Sequence, residues 1–224
     1  VYHAIPHVAH DSKIIQVIDS ARSRGYLRID LGLAKTKDKA QPPAQRTQRL
    51  IRAITARHPG ARFGLITYQA FTKTLKAAFP SDADVEVMHF GGQRGSNELE
   101  DRDVLIVIGT PRIPPQALRR EAERIFGREV PAEEMKEVTV TLHGENRSAW
   151  VRVMGYVGHE MRVAYDAKVG AEIVQAVGRS RFLHGARAVY VLSNHPLSMP
   201  GVTLVEARDI VDPVRSHSRF GSVA

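Results

Sequence analysis

Residues 172–182 read EIVQAVGRSRF, and they hold the residue types in this chain best suited to chemistry. On a helix, Gln175, Gly178 and Arg179 stand at i, i+3 and i+4 and share one face. Glycine inside a helix costs about 1 kcal/mol relative to alanine, so it usually answers to a close neighbour or a ligand. An amide and a guanidinium beside bare backbone form a fork that suits phosphate oxygens. The same residues also fit a plain helix end whose cations complement its dipole. A second stretch, GGQRGSNELED at residues 91–101, carries Gly91, Gly92 and Gly95 beside Arg94 and Asn97. Such glycines let backbone amides approach a phosphate, although a plain connector between strands reads the same way. Thr67, Tyr68 and Gln69 follow an apolar run and precede a helical pattern, the usual place for a ligand in an open α/β sheet. Tyr68 fits either a base-stacking ring or a core side chain.

The elements that position these residues alternate. Apolar runs at residues 62–68, 85–90, 104–109, 186–193 and 202–207 read as strands, and VLIVIG at 104–109 is a strand buried on both faces. Helical patterns fall at 70–79, 116–126 and 172–182, so the pairing is parallel with right-handed crossovers. Residues 1–60 read as a helical extension, with patterns at 13–24 and 44–57 joined by a linker rich in Lys, Gln and Pro. Residues 61–211 form the α/β domain, interrupted at 112–170 by a helix and a hairpin; 212–224 is a flexible basic tail. In the hairpin Val138, Val140 and Leu142 alternate with polar residues, and Gly144-Glu145-Asn146 turns the chain. The return strand sets Ala149, Val151, Val153 and Val157 on one face, with Trp150, Arg152, Met154 and Tyr156 on the other.

Composition narrows the partners. The 224 residues carry 32 Lys+Arg against 24 Asp+Glu, a net charge of +8 that favours an anionic partner. Zero cysteines exclude disulfides, thiolate metal sites and cysteine nucleophiles, and fit a reducing cytoplasm, the expected location. No apolar run approaches the ~18 residues of a membrane span, and no membrane partner is expected. His3, His7 and His10 invite a metal reading, but Pro6 interrupts any regular helix through them, and no metal site is assigned. There is no G-x-x-x-x-G-K-[ST] phosphate loop and no D-E-x-x box.

QAVGRSR resembles motif VI of superfamily 2 helicases, Gln/His-x-x-Gly-Arg-x-x-Arg. RFGLITYQAF is similar to motif IV, and the stretch from His89 through VLIVIGTPRIPP is similar to motif V with its following strand. The order is that of the family over roughly residues 60–207, and the pattern sits nearest the helicases of phages and mobile elements. The resemblance implies a RecA-like parallel sheet flanked by helices, with an inserted β-hairpin. It implies the C-terminal motor domain of an ATP-dependent nucleic-acid helicase or translocase. Arg179 is then the arginine finger, with Gln175 beside it and Arg181 as a conditional second cation, since position 182 of the pattern holds Phe182. Gly178, Gly95, Asn97 and Asp101 fall to ATP, Asp101 standing in for the acid that Asn97 replaces. Thr67, Gln69 and Arg94 fall to nucleic acid, DNA rather than RNA.

The N-terminal RecA-like domain of the same protein is the implied partner, supplying the phosphate loop and most of the Mg2+ ligands; without it this chain is inactive toward ATP. The start at Val1 fits a cut from something longer. The hairpin stands where several such helicases place a strand-separating wedge; its own pattern reads as an extension packing a Val-rich face on the core. A RecA-like binding or scaffold module without catalysis is the rival reading, and a small-molecule phosphotransferase the weaker third.

Overall fold

The computed structural model describes residues 13–18, 24–33, 45–92, 98–178 and 188–212. In chain order the elements are β1 (Lys13–Ile18), α1 (Arg24–Asp30), α2 (Arg46–Arg57), β2 (Phe63–Thr67), a 3-10 turn (Gln69–Phe71), α3 (Thr72–Lys76), β3 (Val85–His89) and β4 (Val104–Ile108). They continue with α4 (Pro115–Phe126), β5 (Lys136–His143), β6 (Ser148–Gly155), α5 (His159–Gly178), β7 (Ala188–Leu192), β8 (Val202–Glu206) and α6 (Ala207–Val211). Six strands form one parallel sheet in the order β3-β2-β4-β7-β1-β8, and β5 and β6 make a separate antiparallel hairpin. This is an α/β RecA-like arrangement, a parallel sheet flanked by helices, with the inserted hairpin.

Both faces of the sheet are covered, which explains the unbroken apolar runs of β2 and β4. On one face Leu27 of α1, Leu50, Ile51 and Ile54 of α2, Leu75 of α3 and Ile210 of α6 pack on Phe63, Leu65, Ile106 and Leu192. On the other, Val169, Ile173, Ala176 and Val177 of α5 pack with Ile14, Ile66, Val107 and Val191. The α2 start is fixed by Asp30, whose buried carboxylate accepts the amides of Arg46 and Thr47 at 2.9 Å each. A carboxylate there also meets the positive end of the helix dipole. Among the described residues no helix is long and apolar enough to cross a membrane.

One expectation is overturned at the start of the chain. Of the helical pattern expected at 13–24, the first six residues do not form a helix: KIIQVI is strand β1, paired in parallel with β7 and β8. Short apolar runs fit a buried strand and a helix face equally, and here burial of Ile14 on one face and Val17 on the other decides for the strand. Among the described residues the sheet therefore starts at Lys13, inside the region read as an extension.

The hairpin packs Leu142 and Val151, with Val140, Ala149 and Val153, onto the α5 side of the core. The period-two alternation ends with β6 at Gly155: Tyr156 turns inward to a cluster with Leu118, Met161 and Ala164, and Val157 is exposed, the reverse of the expected facing. Its turn is not free. Asn146 Nδ2 donates to Leu204 O and Asn146 Oδ1 accepts from Leu204 N, both at 2.9 Å, and Glu145 N donates to Val202 O at 2.8 Å. A side chain and a turn thus satisfy the outer edge of β8, which would otherwise present unpaired groups. A wedge needs a projecting tip, and this tip is spent on the sheet. Asn146→Ala removes both side-chain bonds and strands the Leu204 amide and carbonyl; it is expected to lower unfolding free energy by about 2 kcal/mol in urea titrations.

Candidate functional site

Helix α5 carries the Gln175 and Gly178 pair. Ile173, Ala176 and Val177 are buried against the sheet, and this leaves Gln175 and Gly178 on the exposed side. A Cβ built at Gly178 meets nothing within 4 Å, so packing within the described residues does not demand a glycine there. What the bare position offers is open backbone beside an exposed amide. Arg179 and Arg181, which complete the expected fork, lie outside the described residues, as do Arg94, Gly95 and Asn97.

The direction of α5 separates the expected sites. The Tyr165 ring meets the His195 ring edge-on at 5.7 Å, and a Cβ at Gly170 would sit 3.9 Å from His195 Nε2. His195 follows the carboxyl end of β7. Eight residues beyond Gly170 the helix has advanced about 12 Å, so Gly178 lies toward the amino ends of the strands. Asp101 lies at the amino end too, but its carboxylate is committed. It pairs with Arg62 at 3.2 Å and Arg102 at 3.1 Å, while Arg62 also grips Asp103 and Arg102 grips Asp84 at 2.7 Å. These ion pairs tie β2 to β4 at their starts, and Asp101 is a structural tie rather than an acid free to replace the one missing at Asn97. Hydrogen bonding to Asp103, with three carboxylates nearby, holds the Arg62 pKa above its ordinary value. Gly92 is likewise spent within the turn: its amide donates to His89 O at 3.0 Å, and any Cβ would lie 2.5 Å from the His89 ring.

The carboxyl ends hold a different network, none of it foreseen beyond Thr67 to Gln69. Thr67 is fully buried, and its hydroxyl has no hydrogen-bond partner among the described residues, so it offers no surface to a nucleic acid. Gln69 is exposed. Tyr68 is a core side chain: its hydroxyl donates to Thr110 O at 2.5 Å and accepts from Thr110 N at 3.1 Å, and its ring meets Phe71 and Phe90 edge-on. The ring lies on Gly109, whose φ of 108° and lack of room (2.6 Å from a Cβ to the ring) both require glycine. Tyr68 thereby fills the crevice between β2 and β4, where the crossovers leave toward opposite faces and open sheets usually bind ligands.

Thr110 Oγ1 in turn pairs with Ser193 Oγ at 2.8 Å, and buried Gln16 donates to the carbonyls of Ser193 and His195 at 2.8 Å each. The hydroxyl pair latches the β4 and β7 loops together. The sequence signal for it was polar residues directly after two buried runs, Gly109-Thr110 and Ser193-Asn194-His195.

No group of three or more His, Asp or Glu able to hold a metal occurs among the described residues. No model of a protein family matches the chain, and no curated protein matches it.

His195 generates a pH prediction. Burial lowers its pKa from 6.5 to about 4, while a hydrogen bond to the Asp166 backbone works the other way. The unfolded chain therefore binds a proton below pH 6.5 that the folded one refuses, and stability falls as pH drops through that window. About 1.5 kcal/mol is expected to be lost from His195 alone between pH 6.5 and 5. Urea midpoints across that range should slope accordingly, and His195→Gln should flatten them.

Proposed function

We propose that this chain is the second RecA-like domain of an ATP-dependent nucleic-acid helicase or translocase, completing an ATP site across a cleft from another RecA-like domain. The observation that carries the reading is the exposed Gln175–Gly178 edge of α5, which leads directly into Arg179 on a RecA-like sheet. The core takes the opposite side of the helix, so this edge is available to a second domain. The chain has no phosphate loop of its own, so the nucleotide's phosphates and magnesium rest mainly on that domain.

In this reading the Arg179 guanidinium donates hydrogen bonds to the γ-phosphoryl oxygens as charge spreads over them. Gln175, one turn earlier on the same face, accepts and donates beside it and orients the approach. The open backbone at Gly178 allows the phosphate side of the cleft to come close. Such a finger is worth about 10³–10⁵ in rate. Nucleic acid takes the other end of the sheet, beside exposed Gln69, held through its phosphates and hence weakened by salt. With the two surfaces at opposite ends of one rigid sheet, closing and opening the nucleotide cleft moves the carboxyl end as a body.

In the full-length protein, Arg179→Ala is expected to cut nucleic-acid-stimulated ATP turnover about 10³-fold or more while nucleotide binding persists. Turnover equal to the parent's would remove the finger assignment, whereas a parent without nucleic-acid-stimulated turnover would favour a binding module without catalysis.

A further inference from the structure

Trp150 is the single tryptophan of the chain and is 82% exposed. An indole left in water on an ordered strand adds little to the core, and exposed apolar side chains that group together mark contacts. The neighbouring outward positions of β6 are Arg152 and Met154, both exposed. The hairpin turn runs alongside β8, so Trp150 stands at the carboxyl end of the sheet. There it borders a pocket of about 300 Å³ with Ile18, Arg147, Glu206 and Arg208. Glu206 accepts from Arg147 at 3.4 Å and pairs with Arg208 at 2.5 Å, so two guanidiniums share one carboxylate and a positive charge remains at the pocket mouth.

We infer that Trp150 is a stacking platform for one base of a single-stranded nucleic acid, with Arg147 and Arg208 on the flanking phosphates. The inference rests on the nucleic-acid reading above and names where that strand leaves the domain. Pocket size suits one planar ring, the residual charge suits phosphate, and a flat ring that takes any base suits a protein that must move along a strand. Position agrees as well. Gln69 at the end of β2 and Trp150 beside the end of β8 lie on the same edge, four strand spacings or roughly 19 Å apart. Exposed Arg112, just after β4, lies between them. The docked hairpin orders the backbone that carries the ring, which spares the ordering cost of a loop.

The sole tryptophan makes the test direct. A 5′-labelled oligothymidylate is titrated into the 224-residue chain at low salt, with binding read by label anisotropy and stacking by Trp150 emission. Expected are quenching of Trp150 in step with binding, an affinity loss of at least about fivefold in Trp150→Ala, and partial recovery in Trp150→Phe. Arg147→Gln should reduce the salt slope of binding by about one. Unquenched emission and parental affinity in Trp150→Ala would overturn the platform while leaving the nucleic-acid reading standing. Absence of binding by anisotropy would overturn both. A blue shift of Trp150 emission with protein concentration alone, together with a dimer lost in Trp150→Ala, would assign this face to a second copy and overturn the inference. Unchanged circular dichroism melting of each variant shows that the fold is intact, as the exposure of position 150 leads one to expect.

Discussion

Everything on one side of this domain hangs from the pairing of β1 between β7 and β8. A parallel strand cannot be held by a tight turn to its neighbour; it is held by its two ladders and by burial on both faces. β1 has both, and through it β8 joins the sheet. The hairpin turn docks on β8 through Asn146 and Glu145, so the hairpin too is anchored by way of β1. The same strand contributes Gln16, which fixes the loop after β7, and Ile18, which floors the pocket beside Trp150. Loss of this one strand would cost the sheet its edge, the hairpin its seat and the carboxyl-end network its buried amide.

The two ends of the sheet are stabilised by opposite means, and the difference bears on what each end can do. At the amino ends, arginines and aspartates neutralise one another at the surface, where each pair contributes little but fixes register. At the carboxyl ends of β2, β4 and β7 the network is neutral and largely buried: a phenol, two hydroxyls, an amide and an imidazole that burial keeps uncharged. Buried neutral networks of this sort are rigid when satisfied. They present nothing that titrates near neutral pH and nothing that attacks; their contribution is to hold the loops, and the exposed residues on those loops, in fixed positions.

How much of this could be read from residues alone follows the same physics. β2 and β4 were legible because double burial leaves an unbroken apolar run, and the hairpin because one covered face leaves an alternating one. β1 was not, since Ile14, Ile15, Val17 and Ile18 satisfy helical spacing as well as strand burial. The facing of Gln175 and Gly178 was legible from helical periodicity. The competition for Asp101 was not, because Arg62 is 39 positions away and only the β2–β4 pairing brings it near. Thr67 illustrates the limit at a strand end: sequence places it at the carboxyl edge, but only packing decides whether its hydroxyl faces water or the core.

The docked hairpin also explains why its exposed ring suits a fixed surface better than a moving one. A strand-separating pin acts by intruding, and its tip must be free of its own domain. Here the tip completes the edge of β8, so freeing it would expose the backbone of Val202 and Leu204. What stays available is the outward row of β6, where Trp150, Arg152 and Met154 stand on a strand whose opposite side is bound into the core. A ring carried this way gives up little conformational freedom on binding, because its backbone is already ordered. An arrangement that immobilises a hairpin through its turn while leaving its one tryptophan in water is therefore consistent in energetic terms with a contact surface, and hard to reconcile with a lever.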